Sequence, residues 1–247
     1  SMFIGGLRAL FMQTLHPVAM RAIVEHSDYR QDSWGRLART SRFIAVTTFG
    51  AADDAAAAID AVRAIHQRVT GIGPDGAPYT AADPDLLRWV HVAEVDSFLR
   101  AHTIYGAQPL RGSDRHRYVE QTAEIARRLG VIDPPTTEAG LAEALAGYRP
   151  QLAGTPEARA AVRYLLLRVP LPIAARGPYS ALALAAVGLM PRWSRRPLHL
   201  PWAPICERTA VRALGAGTIG AMRWAMSPPH QARAAAETGN ADAAEPD

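Results

Sequence analysis

The sequence predicts an all-α chain, and three observations carry that expectation. Alanine, leucine and arginine dominate the 247 residues, while runs of alternating β-branched residues are scarce. Apolar side chains recur at helical spacing: along AAAAIDAVRAIHQRV, residues Ile59, Val62, His66 and Val69 share one helix face. Helix starts also recur in one chemical form, an oxygen-bearing side chain followed by proline, at Asp83-Pro84 and Thr155-Pro156. No internal repeat and no long linker divides the chain. The reading is therefore one helical domain over residues 1–227, followed by a flexible Ala/Glu/Asp-rich tail over 228–247.

The elements follow in order. Phe3–Gln13 reads as a helix whose Gly5-Gly6 pair lets the backbone approach a neighbour closely. His16-Pro17 breaks it, because the residue before proline avoids the α region, and His16 is suited to a helix end. Val18–Val24 resumes as helix and leaves through the polar Glu25-His26-Ser27-Asp28. A further helix carries Arg36, Arg39 and Thr40 and continues through Phe43–Phe49 to Gly50. The helix Ala55–Val69 is closed by Gly71-Ile72-Gly73, with Asp53-Asp54 near its positive end. Gly71–Ala82 is a turn-rich connection.

Asp83 then caps a helix reaching Tyr105, with a stripe of Leu87, His91, Glu94, Phe98 and Ala101. Ser113 to Gly130 and Thr137–Gly147 are two more helices. A third begins at Thr155-Pro156 and is stopped by Pro170 and Pro172. Tyr179–Met190 is an Ala/Leu-rich buried segment fenced by Pro178 and Pro191. Pro191–Pro204 has four prolines and two tryptophans, so it forms an ordered strap rather than a regular element. Ile205–Met226 is the last helix.

Composition excludes several functions. The net charge is +4, from 27 basic and 23 acidic side chains with no dense basic block, so nucleic acid is not an expected partner. The single cysteine, Cys206, excludes an internal disulfide framework and a cysteine-rich metal site. It fits a reducing, cytoplasmic setting. No stretch reaches the roughly 20 apolar residues of a membrane span. Trp193 and Trp202 beside Arg192, Arg195 and Arg196 are compatible with peripheral membrane contact, although covering the core is their simpler use. GAGTIG lacks the preceding strand of a dinucleotide site, and there is no Gly-x-Ser-x-Gly for a triad hydrolase.

Two readings of His66 stand side by side. It is a core histidine bonded to a carbonyl, or a neutral imidazole on an apolar face serving as an axial ligand. Arg36, Arg39 and Thr40 likewise read either as a solvated face or as a cluster for a buried anion, since guanidinium forks grip carboxylates at two points.

The ordered landmarks resemble a known family. They run Gly5-Gly-Leu-Arg-Ala-Leu10, Gln13, His16-Pro17, His26-Ser27, then Arg36-Leu-Ala-Arg39-Thr40. His66 ahead of Gly71, Tyr79 with Asp83-Pro84, and Trp89-Val-His91 followed by Ser97 complete the set. This resembles, over about Phe3 to Trp202, the catalytic domain shared by latex clearing protein (rubber oxygenase) and the MpaB-type oxygenase. The resemblance implies a globin-reminiscent helical bundle binding haem b, with His66 as the iron ligand. It implies an oxidoreductase that uses dioxygen to oxidise or cleave a small, apolar, isoprenoid-like unsaturated substrate.

In that scheme Arg36, Arg39 and Thr40 are the catalytic candidates. Arg36, Arg39, Arg63 and His91 join His66 as cofactor-binding candidates. Arg39 stands where rubber oxygenase has a lysine that can approach the iron, and arginine does not readily ligate. Met20 or Glu25 lies near the position of that enzyme's catalytic glutamate. Two other functions remain open from the residues alone. One is a non-haem metal site built on His91, Glu94 and His66. The other is a non-enzymatic helical protein binding lipid or a partner.

Overall fold

The computed structural model describes residues 1–27 and 32–226; the tail expected over 228–247 lies outside the described residues. The elements are α1 (Met2–Gln13), α2 (Pro17–His26), α3 (Ser33–Phe49), α4 (Ala52–Arg68), β1 (Thr70–Ile72), β2 (Pro78–Thr80), α5 (Pro84–Tyr105) and α6 (Ser113–Leu129). There follow α7 (Glu138–Gly147), α8 (Pro156–Leu167), α9 (Ile173–Leu189), α10 (Arg192–Arg195), α11 (Pro204–Cys206) and α12 (Arg212–Met226). The chain is all-α apart from the β1–β2 hairpin.

The bundle is organised around α5. Asp83 caps it by accepting from the N–H groups of Asp85 and Leu86, and Pro84 occupies its first turn. Leu87, Trp89, Val92, Val95, Leu99 and Tyr105 are all buried, so α5 presents apolar surface on every side. Against it lie α1, α6, α7, α9 and α12. The closest seam is with α1. A Cβ on Gly5 would lie 2.6 Å from Phe98 Cδ1, whereas Gly6 faces open space. On the opposite flank, small side chains let α12 approach α9: a Cβ at Gly215 would lie 3.0 Å from the Ala185 Cβ.

One charged link fastens this body. Arg8 is fully buried and pairs with Asp96 at 2.6 Å. It also donates to Ser97 Oγ at 2.6 Å and to the Leu189 carbonyl at 3.0 Å, tying α1, α5 and α9 together. A guanidinium is stable there only because its donors are matched by a carboxylate and two neutral oxygens.

Several boundaries follow local cap chemistry. His16 caps α2, its Nδ1 accepting from the Ala19 N–H at 3.4 Å. Thr137 and Thr155 cap α7 and α8. Gly130, at φ 109°, ends α6 in the left-handed region.

Three details differ from the sequence reading. First, α4 ends at Arg68, and Gly71 lies in β1 opposite Tyr79. The chain turns directly into a hairpin, and Gly71 is needed because a Cβ there would sit 2.7 Å from both Glu25 Oε2 and Tyr79 Oη. Second, α9 begins at Ile173 and carries Pro178 inside it, losing one backbone donor without ending the helix. Third, the last helix contains a π-turn over Glu207–Val211 between α11 and α12.

The Pro191–Pro204 segment is the ordered strap expected. Arg195 is buried within it and donates to Glu207 at 2.5 Å and to the Met190, Gly188 and Pro201 carbonyls. Trp202 lies over the same guanidinium, 4.5 Å from ring centroid to Cζ.

Candidate functional site: a histidine–carboxylate crevice

The α4 helix is alanine-rich, with Asp53 and Asp54 in its first turn, so it forms on propensity and dipole complementarity. From Ile59 to Val69 only Ile59, Val62, His66 and Val69 are shielded; every other residue there is exposed. The stripe read from the sequence is therefore the face α4 turns toward the protein. It packs on α3 and α6 and touches β2. Within it His66 is half-buried, its Nδ1 enclosed with no hydrogen-bond partner. Burial holds its pKa below the ordinary histidine value, so the ring is neutral at pH 7.

The second histidine lies on α5. His91 Nε2 is likewise enclosed and unpartnered. Burial, helped by the charge of Arg88, pushes its pKa down to about 4. One turn on, burial pushes Glu94 up to about 7. Burial and the Glu94 carboxyl both raise the pKa of Tyr118, on α6. Helix α6 thus forms a common wall, packed on α4 from one side and α5 from the other.

His66, His91, Glu94 and Tyr118 all keep some accessible surface while their polar groups are desolvated. That combination belongs to side chains facing a crevice rather than a packed core. Each unpartnered ring nitrogen costs about 1–3 kcal/mol as it stands. A neutral imidazole with a free lone pair is also what a metal centre requires. Sequence periodicity reaches His66, His91 and Glu94. It passes over Tyr118, although Tyr118 flanks the buried Val119, Ala123 and Ala126 stripe of α6.

The other predicted residues lie apart from this crevice. The Arg36 side chain is outside the described residues. Arg39 is exposed and reaches Asp32 at 3.1 Å, the same carboxylate that caps α3 through the Gly35 N–H. Thr40 and Arg63 are exposed. Met20 is buried in the main core. Glu25 accepts from Tyr79 Oη at 2.6 Å and pairs with Arg21 at 2.7 Å, which holds its carboxyl below the usual range. Among the described residues no three His, Cys, Asp or Glu side chains converge as a metal-binding group.

Fold and crevice together define a class: a helical domain with a desolvated histidine–carboxylate recess beside its central helix. The chain belongs to the family described as ER-bound oxygenase mpaB/B'/Rubber oxygenase, catalytic domain, whose model matches residues 1–224. No individual curated protein and no solved structure matches it. Among the described residues no helix is long and apolar enough to cross a membrane.

Proposed function

We propose that this chain is a haem b-dependent oxygenase acting on a small apolar, unsaturated substrate with dioxygen, with His66 as the iron ligand. The observation that carries the reading is the enclosed, unpartnered Nδ1 of a neutral imidazole on the only shielded face of α4. Haem, when bound, would supply the redox chemistry that activates dioxygen toward an alkene.

The protein's own contributions are specific. His66 offers a lone pair that needs no deprotonation at neutral pH, because desolvation has already lowered its pKa. Ile59 and Val62, preceding it on the same stripe, keep water from that ring. Glu94, with its pKa near 7, holds or yields a proton at its carboxyl oxygen without large cost. His91, neutral over the whole working range, is suited to accepting a hydrogen bond or positioning a neighbour. Arg39 and Arg63 sit at the solvent side of α3 and α4. With Arg36, they are the candidates for the propionate arms, which a haem commonly extends toward water.

The test is spectroscopic. Purified chain reconstituted with haemin is expected to show a Soret band that shifts on dithionite reduction. His66→Ala should lose the band or move it strongly, with helical content unchanged. A wild-type chain that stays colourless with added haemin overturns the proposal.

A further inference from the structure

The strap holds a second feature, independent of the haem reading. A recess of about 910 Å³ opens between the start of α8 and the segment after α9, lined by Arg159, Arg192, Trp193, Arg196, Pro197 and His199. Half of these residues are arginines. None of the three forms an ion pair among the described residues, and no carboxylate lines the recess. The neighbouring cations are already engaged. Arg195 is consumed by Glu207 and three carbonyls, and Arg149 lies 5.1 Å over the Trp193 ring.

The fold builds this convergence through specific backbone choices. A Cβ at Gly154 would lie 1.9 Å from the Pro197 carbonyl oxygen, so only glycine lets the strap seat against the loop before α8. Arg159 Nε donates to that same carbonyl at 2.9 Å, which fixes its guanidinium at the wall and leaves its Nη groups without a partner among the described residues. His199 adopts φ 56°, the left-handed region that non-glycine residues seldom occupy, to close the far side of the recess. Three like charges held around one opening repel one another unless an anion joins them. Several guanidinium forks suit a tetrahedral oxyanion, which offers oxygens in more than one plane. Trp193 and Pro197 supply an apolar wall, so the anion is expected to carry an organic portion.

We propose that this recess binds the phosphate group of an organic phosphate monoester. Two sources share that chemistry, a soluble ester and a phospholipid head group, and two arms of one experiment separate them. The full chain is titrated with glycerol 3-phosphate by calorimetry. It is separately sedimented with phosphatidylcholine vesicles, with and without phosphatidic acid. Each arm is repeated with R192Q/R196Q and with R117Q/R128Q, which removes the same charge from exposed positions on α6.

Binding should weaken by about tenfold or more in R192Q/R196Q and stay unchanged in R117Q/R128Q. Thermal melting confirms that both variants fold; if the double variant melts early, R192Q and R196Q singly should each show a partial loss. Binding of glycerol 3-phosphate with this pattern assigns the soluble ester. Sedimentation that needs phosphatidic acid, without glycerol 3-phosphate binding, assigns the lipid. Absence of binding in both arms, or an equal loss in both double variants, overturns the proposal.

Discussion

In α5 ten side chains are buried and the helix is wrapped by neighbours; in α4, five residues shorter, only Ile59 is fully buried. Its partner α3 has no fully buried side chain among those described, and Phe49 and Ile65 in this pair are largely exposed. The contrast teaches that the two regions hold together by different means. The α1–α5–α9 body is fastened by a continuous core and by the Arg8–Asp96 pair. The α3–α4 pair rests on one narrow stripe, interrupted by a neutral histidine with an unused nitrogen. Free energy missing from such a region can be supplied by whatever it binds, which is why low-stability segments so often border ligand sites.

The largest expected effect breaks the body. Arg8→Leu leaves Asp96 without its cation and Ser97 without a donor, so unfolding free energy should drop by about 3–5 kcal/mol in a denaturant titration. A loss below about 1 kcal/mol would mean that the pair is not a fastening.

A smaller effect should isolate the hairpin. Ile59→Ala is expected to cost about 2–4 kcal/mol locally. Hydrogen exchange should then quicken in α3 and α4 while α5 amides keep their protection. Uniform quickening throughout would show that the two regions are one cooperative unit.

The subtlest effect concerns pH. His91 is depressed to about 4, so its contribution is complete above the unfolded value near 6.5 and fades as pH falls toward 4. Glu94, raised to about 7, works in reverse: its contribution is complete below the unfolded value near 4.5 and fades as pH rises toward 7. Between these limits the two oppose each other. Glu94→Gln removes the acid-side gain, so melting temperature should decline more steeply from pH 7 to pH 4.5 than in the wild type. An unchanged slope would mean that Glu94 titrates as an ordinary surface carboxylate.

Much of this architecture could be read from sequence, because caps and periodicity are local. Asp83, Thr137 and Thr155 each mark a helix start within a few residues, and Gly130 marks an end. The His66 stripe was legible for the same reason. What escaped depends on distance along the chain. Arg8 and Asp96 are remote in sequence, and nothing near either announces the other. Gly71 reads as a helix stop, yet its reason is Tyr79 and Glu25 arriving from elsewhere. In the site, spacing placed Arg39 and Thr40 on one helix but could not say which way that helix turns them; both are exposed.

The π-turn at Glu207–Val211 has a consequence for how this chain can vary in length. One surplus residue is accommodated there, upstream of the contact in which Gly215 meets Ala185 and Tyr105. Deleting a residue from the turn would restore ordinary winding but rotate everything beyond it by about 100°. Gly215 would swing away from its seat and a larger neighbour would take its place. The irregularity therefore sets the phase of the closing helix, and shortening the chain at this point should be far less forgiving than lengthening an exposed loop.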